Sequence, residues 1–494
     1  MKRTILTTIF AAIMITVIFN SCKKTSNEVR QIFVAPKVVA NPVKAGLIHG
    51  GISGTMLTDS IYTVMADSAI IIPVGDTLWL QSGVTVCMQS RSTIIVQGVL
   101  ISLGTQAKPN WITVCDLPKN NTIAQGESPA TDSAWNAGAG SWTGINCDVT
   151  CPLLVLKWTH IEFTGAKFPA LEPFAGGTAN KTSYGILFQT NDGDFDMEDC
   201  WMYGSVDDAV RVETGRCCIM RNTFEKMGYT GGDNINCKSG SVGDIAFNLF
   251  IGEATNASKA SNKGTNNPEC NINMYNNTYI NCGYRNISTG VGGSIDYEQG
   301  AKGLAYDNLI VNCNFGIRVL CSPIADTANM NYTNNYIYGD NTSVCDQFFP
   351  VGYITRSDCY AVPPMGSTGY IYAPSPSNCA TNPYNASSLV GKNNPLFVNF
   401  PLPEPGITHL FDISYVSPGI IPPLTVPTTG SYNFQLQATS PAIGKGYTNF
   451  SPLNSISAGA QNLLSQPQIN APIVVTPPNA DMGCYPFLGG GNQH

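Results

Sequence analysis

Asn222-Thr223-Phe224, Asn248-Leu249-Phe250, Asn277-Thr278-Tyr279, Asn308-Leu309-Ile310 and Asn335-Tyr336-Ile337 repeat one pattern, an asparagine within an apolar strand, at spacings of 26, 29, 31 and 27 residues. A period of this size in β-rich text indicates a solenoid, because one such unit cannot bury its apolar face alone and must stack on its neighbours. Asparagine suits a stacked corner. Its amide can donate and accept along a column of identical neighbours, and it tolerates left-handed backbone at a bend. His160 falls near the same register and is expected to substitute for asparagine there.

A second register runs ahead of the first: Gly144-Ile145-Asn146-Cys147, Gly185-Ile186-Leu187-Phe188, Ala209-Val210-Arg211-Val212, Asn234-Ile235-Asn236-Cys237, Ser294-Ile295-Asp296-Tyr297 and Gly316-Ile317-Arg318-Val319. These read as one strand seen repeatedly. Between Ile235 and Ile295 lie 60 residues, room for two coils, and the Asn/Lys/Ser-rich stretch Thr255–Pro268 suggests a distorted coil or an excursion there. From Asp76 the chain alternates short strands with Gly and Ser turns, as in Thr77-Leu78-Trp79-Leu80, Ser82-Gly83 and Val84-Thr85-Val86. The expected fold is all-β, a right-handed parallel β-helix over residues 46–394, with 395–494 as its C-terminal closing end and tail.

Several stretches resemble the pectate-lyase-like group of right-handed β-helix proteins, specifically its bacterial envelope members. They are Leu78 to Val86, Ile95 to Thr105, Trp142-Thr143-Gly144-Ile145, Asn394-Pro395-Leu396-Phe397-Val398, Ser440 to Gly446, and Asp481-Met482-Gly483-Cys484-Tyr485. The resemblance spans about Gly46 to Phe487. It implies the architecture and a sugar chain lying along one sheet face, but not a chemistry, since the fold hosts lyases, hydrolases, epimerases and inert shafts.

Alternation along the second register places Ile145, Ile186, Val210, Ile235, Ile295 and Ile317 inward. Their neighbours then face outward and form a polar stripe of Arg211, Glu213, Asn236, Lys238, Asp296, Glu298 and Arg318. In proteins of the resembled group, Arg or Lys near a uronate and carboxylates as acids, bases or calcium ligands do the work on such a face. Asp208, Arg211 and Arg318 are accordingly the candidate catalytic residues, and Glu213, Asn236, Lys238, Asp296 and Glu298 the candidate binding residues. A solvated face laced with cross-strand ion pairs is the plainer alternative. Acidic residues crowd Asp192, Asp194, Asp196, Glu198, Asp199, Asp207 and Asp208. Asp192, Asp194 and Asp207 are the candidate calcium ligands, since calcium takes hard oxygens; no cofactor is required. Asn191-Asp192-Gly193 with Asp207-Asp208 is similar to the polygalacturonase acid pattern, yet the later histidines are only His409 and His494, and no Arg-x-Lys follows. That departure argues against the activity.

The N-terminus sets the compartment. Lys2-Arg3 precede an uncharged stretch from Thr4 to Ser21 that stops at Cys22, the layout of a signal peptide over residues 1–21. Phe19-Asn20-Ser21-Cys22 resembles a bacterial lipobox, with Phe19 where Leu is usual, which implies diacylation of Cys22. Residues 22–45, punctuated by Pro36 and Pro42, read as a tether. The expected location is the cell envelope, anchored in the outer membrane through the Cys22 lipid alone, facing the periplasm or the cell surface. Lys23-Lys24 without an acidic run leans towards the periplasm.

Only 12% of residues are charged and 43% are hydrophobic, a balance suited to many short strands. The net charge of −7 becomes −9 once Lys2 and Arg3 are removed, and no basic run remains, so nucleic acid is excluded as a partner. Four scattered histidines offer neither a zinc cluster nor a Ser-His-Asp triad. Sixteen cysteines besides Cys22 allow disulfides in an oxidising compartment, while several sit in apolar strands where a thiol packs as a small hydrophobe. The sequence thus points to a lipid-anchored envelope protein that binds a glycan through its polar strand face. A polysaccharide lyase or hydrolase acting on an acidic glycan, or a non-catalytic adhesive shaft, are the alternatives.

Overall fold

The computed structural model describes residues 41–115, 141–169, 177–225, 227–228, 231–262, 269–284, 286, 292–319, 325–332, 334–345, 390–403 and 432–494. The signal segment, Cys22 and most of the tether lie outside them. Three parallel sheets of ten, ten and eleven strands wrap one core as a right-handed parallel β-helix. Each coil contributes one strand to each sheet in turn. Sheet 1 runs from Gly50–Gly51 to Ile317–Val319, sheet 2 from Gly54–Met56 to Met330–Asn331, and sheet 3 from Gly46–Ile48 to Tyr336–Tyr338. No helix among the described residues is long and apolar enough to cross a membrane.

Alternation fixes what enters the core. In sheet 1 the inward column stacks Ile94, Ile145, Ile186, Val210 and Ile235 in register, all at most 2% exposed. In sheet 3 the inward column stacks rings: Phe224 lies 5.2 Å from Phe250, which lies 4.9 Å from Tyr279, with nearly parallel planes. Among the described residues eleven cysteines are buried free thiols, most of them within this core, and the Cys87–Cys115 disulfide ties a strand of sheet 3 to the residues just after its neighbour, Asn110–Thr113.

The corner between sheets 2 and 3 holds the asparagine ladder. Asn222 donates to Asn248 Oδ1 (2.9 Å), Asn248 to Asn277 (3.0 Å), Asn277 to Asn308 (3.0 Å) and Asn308 to Asn335 (2.8 Å). Each Oδ1 also accepts the backbone N–H of the asparagine one coil earlier, so a buried donor is satisfied at every step. The left-handed backbone, however, falls one residue earlier than expected, at Arg221, Phe247, Asn276, Asp307 and Asn334. A left-handed phenylalanine costs about 1–2 kcal/mol, which the ladder beside it offsets. Upstream, Thr159 and Cys200, not His160, take the ladder slots: Cys200 N–H donates to Asn222 Oδ1, and Thr159 N–H to Cys200 Sγ. His160 stands one position further, edge-on between Trp111 and Trp201.

The long gap between Ile235 and Ile295 holds a further strand of sheet 1; of the stretch expected to form an excursion, residues 263–268 lie outside the described residues. Asn256–Ser261 is a six-residue strand of sheet 1, paired to both neighbours, with Ser258 in the inward column. The Ser258 hydroxyl is satisfied inside by Tyr279 OH at 2.8 Å. A polar residue at the core position had concealed the repeat.

Residues 432–494 add no strand to the three sheets but run back along the outside of the stack. Leu453 and Asn454 amides bond the Asp244 carboxylate, Ser457 bonds Asp194, Val474 bonds Glu198, and Asn479 bonds Asn276. A second apolar core results. It joins Val155, Cys218 and Met220 of sheet 2 and Leu309 and Tyr336 of sheet 3 to Leu463, Leu464, Ile469 and Met482. A short helix, Ala458–Leu464, is capped by the Ser457 hydroxyl.

Candidate functional site

The outer face of sheet 1 assembles the stripe read from the sequence. Arg211, Asn236, Lys259, Asp296 and Arg318 occupy equivalent positions in successive coils. Lys259 belongs to the concealed coil and was absent from the sequence reading. It is the bridge of the group: its ammonium lies 2.9 Å from Glu298, 3.7 Å from Asp296 and 3.8 Å from Asp233. Arg318 closes one end on Asp296 (3.0 Å) and Asn256 (2.6 Å). Arg211 closes the other on Asp208 (3.1 Å) and Glu213 (2.5 Å), with its guanidinium 4.7 Å from the Tyr184 ring.

Asp208, Asp233 and Asn256 stack at the entry to these strands. Asp233 N–H donates to Asp208 Oδ1 (2.7 Å), and Asn256 N–H to Asp233 Oδ1 (3.2 Å), so each side chain caps the next coil. Gly232 permits the approach. Its φ of +88° favours glycine, and a Cβ there would stand 2.5 Å from the Asp207 carbonyl carbon. Asn236 then bridges Asp208 and Asp233, at 2.9 Å each. Stacking carboxyls at coil spacing has an electrostatic cost. Burial, then the neighbouring Asp233 and Asp207, push Asp208 up to about 7 against the pull of Arg211. Asp207 and Asp296 are raised as well, each by burial foremost.

Lys238 differs from the other cations of the stripe. It is 8% exposed, yet among the described residues no carboxylate lies within ion-pair distance of its ammonium. Burial, then Lys259 and Arg211, hold its pKa below the ordinary lysine value. Asp233 and Asp208 pull it the other way from a distance, but a buried ammonium without a directly paired carboxylate is costly.

The calcium candidates are not gathered. Asp194 belongs to sheet 2, fully buried, where its carboxylate takes Arg216 Nε (2.7 Å) and the Ser457 amide (2.9 Å). Asp192 is exposed and offers its carbonyl to Arg216, while Asp207 sits with Asp208 in the stack before sheet 1. Asp194, Asp196 and Glu198 share the outer face of one strand of sheet 2, while Asp207 and Asp208 precede a strand of sheet 1, a division that linear spacing did not reveal. Among the described residues the ligand atoms that converge, within 4.8 Å, are those of Asp196, Glu198 and Cys218, also on sheet 2. Lys157 reaches Asp196 (3.5 Å) and Glu198 (3.1 Å), and Arg221 reaches Glu198 (2.6 Å), so this group is already compensated by cations.

Comparison with family models, with curated proteins and with solved structures finds no match to this chain. The fold and the side-chain geometry therefore carry the functional argument.

Proposed function

We propose that the protein is an envelope lipoprotein, anchored through Cys22, that binds an acidic glycan along the outer face of sheet 1 in the manner of pectate-lyase-like proteins. The buried ammonium of Lys238, flanked by Arg211 and Lys259 and lacking a carboxylate of its own, is the observation that supports this reading. A uronate carboxylate would supply the missing charge in a site where desolvation strengthens the pairing. Glu213, Glu298 and Asn236 would then meet sugar hydroxyls, and Tyr184 offers a ring edge beside them.

The test is retention of the full chain on immobilised homogalacturonan and alginate, with neutral xylan as control. Acidic glycans are expected to retain it, with a drop of about tenfold in affinity for Lys238→Ala, the loss of one charge-assisted contact. Equal retention of the variant, or none on any acidic glycan, would overturn the reading. Retention that disappears with chelator would bring calcium into the site.

One observation favours a second reading, cleavage of that glycan. Asp208, held near neutrality beside Arg211, has the acidity suited to a general acid or base at physiological pH. In that case unsaturated ends or reducing ends appear during incubation, and Asp208→Asn, Arg211→Ala and Arg318→Ala stop their formation.

A further inference from the structure

A cleft of about 750 Å³ opens between the early coils and the returning C-terminal segment. One wall is the outer face of sheet 2 with its adjoining turns, including Trp79, Gln81 and Trp158; the other is residues 469–472 and Val474 with Gly490, Gly491 and Gln493. Its position is away from the sheet 1 stripe.

The cleft's charges are arranged in closed pairs. Lys157 bonds Glu198 at 3.1 Å and the Pro472 carbonyl at 2.7 Å. Arg221 bonds Glu198 at 2.6 Å and Asp199 at 2.9 Å, and also reaches the Val474 carbonyl at 3.0 Å. Among the residues that line the cleft, two cations thus face two carboxylates, with fully buried Asp196 behind Lys157 at 3.5 Å. An anion entering here would meet Glu198 and Asp199, and a cation would meet Lys157 and Arg221. A wholly apolar ligand would strip water from both pairs without replacing its hydrogen bonds. A neutral molecule with many hydroxyls and one apolar face meets neither penalty, and half-buried Trp79 offers indole surface to that face, with Trp158 beside it, its ring centroid 5.3 Å from that of His494.

We propose that this cleft is a second ligand site, distinct from the sheet 1 stripe, that takes a neutral sugar of one or two rings. The Trp79 and Trp158 indoles would stack against the ring face. The polar edges of the ion pairs, with Gln81 and Gln493, would take the hydroxyls. Binding at this position would also bridge the early coils and the C-terminal segment, so ligand is expected to stabilise the contact between them.

The test titrates the full chain with cellobiose, maltose and xylobiose, following tryptophan fluorescence and saturation-transfer NMR. At least one neutral disaccharide is expected to saturate, with affinity reduced tenfold or more by Trp79→Ala and by Ser82→Arg. The second variant occludes the mouth from a surface turn and leaves the apolar packing intact. Lys238→Ala is expected to leave this binding unchanged, and Trp79→Ala to leave acidic-glycan retention unchanged, so the two sites fail independently. No saturable neutral sugar, binding that survives both cleft variants, or capture of a neutral blocked peptide in place of sugar would each overturn the proposal.

Discussion

Removing the Asn277 side chain is the sharpest test of how the stack is held. In the wild type Asn277 Oδ1 accepts from the Asn248 backbone N–H and Nδ2, each at 3.0 Å. Its own Nδ2 donates to Ile245 O (2.9 Å) and Asn308 Oδ1 (3.0 Å). Asn277→Ala leaves the Asn248 N–H buried without a partner and takes from the Ile245 carbonyl its side-chain donor, while the strand pairing of Ile245–Ala246 with Met274–Tyr275 remains. The other two groups keep second bonds, Asn248 Nδ2 to Ile219 O and Asn308 Oδ1 to the Asn277 backbone N–H. One orphaned backbone N–H at about 1–3 kcal/mol, plus the lost side-chain bonds and a small cavity, gives an expected loss of about 2–4 kcal/mol. Asn277→Cys should lose less, since Cys200 shows how a thiol serves the same slot: it donates to carbonyls at 3.3 Å and accepts the Thr159 N–H at 3.4 Å. Solenoids can unfold in parts, so urea denaturation should be paired with hydrogen exchange at the Asn248 amide. A loss below about 1 kcal/mol, or alanine and cysteine costing the same, would refute the reasoning.

Other consequences are testable with similar means. Asp307, pushed up to about 7 by burial, and Asp244, pushed up to about 6 by burial, bind protons in the folded state that the unfolded chain has released. Their contribution is full below about pH 4 and is lost as pH rises through 6 to 7; Asp307→Asn should flatten this slope by about 2–4 kcal/mol between pH 5 and 8 in urea midpoints, and an unchanged slope would count against it. Reducing the Cys87–Cys115 bond, which closes a 28-residue separation, should cost about 3.5 kcal/mol and lower the melting temperature, whereas a Cys87→Ser/Cys115→Ser protein as stable as the wild type would contradict this. Arg221→Met removes the bonds to Glu198, Asp199, Val474 and Thr476, so amide exchange at Val474 and Thr476 should accelerate at least tenfold while the ladder amides stay protected.

What the sequence revealed follows from how far each signal travels along the chain. The asparagine ladder and the aliphatic column of sheet 1 repeat the same residue types at one coil's spacing, and both were readable as a parallel solenoid. Arg211, Asn236, Asp296 and Arg318 share a face because strand alternation is strict. Lys259 was hidden because its neighbour Ser258 points into the core with a hydroxyl that Tyr279 satisfies, and periodicity counts only apolar residues there. Asp194 and Asp207 looked like neighbours because thirteen residues separate them, but a strand and two corners intervene. The cleft was invisible for a different reason. Trp79 and Gln493 line one cleft only because the chain returns over the stack, and no local pattern encodes that return.

The returning segment also sets a timetable. Its bonds to the coils span 263 residues at Ser457–Asp194, 276 at Val474–Glu198 and 295 at His494–Asp199. Coils can add one upon another as synthesis proceeds, each meeting its predecessor within about thirty residues, the period of the repeat. The apolar outer surface of Val155, Cys218 and Met220 has no such early partner. It must wait, wet and adhesive, until the covering residues have emerged. The slow, aggregation-exposed interval in this protein's assembly therefore lies at its end, when a completed helix still lacks its coat, and a chain shortened before Tyr432 should stack its coils yet clump through that bare flank.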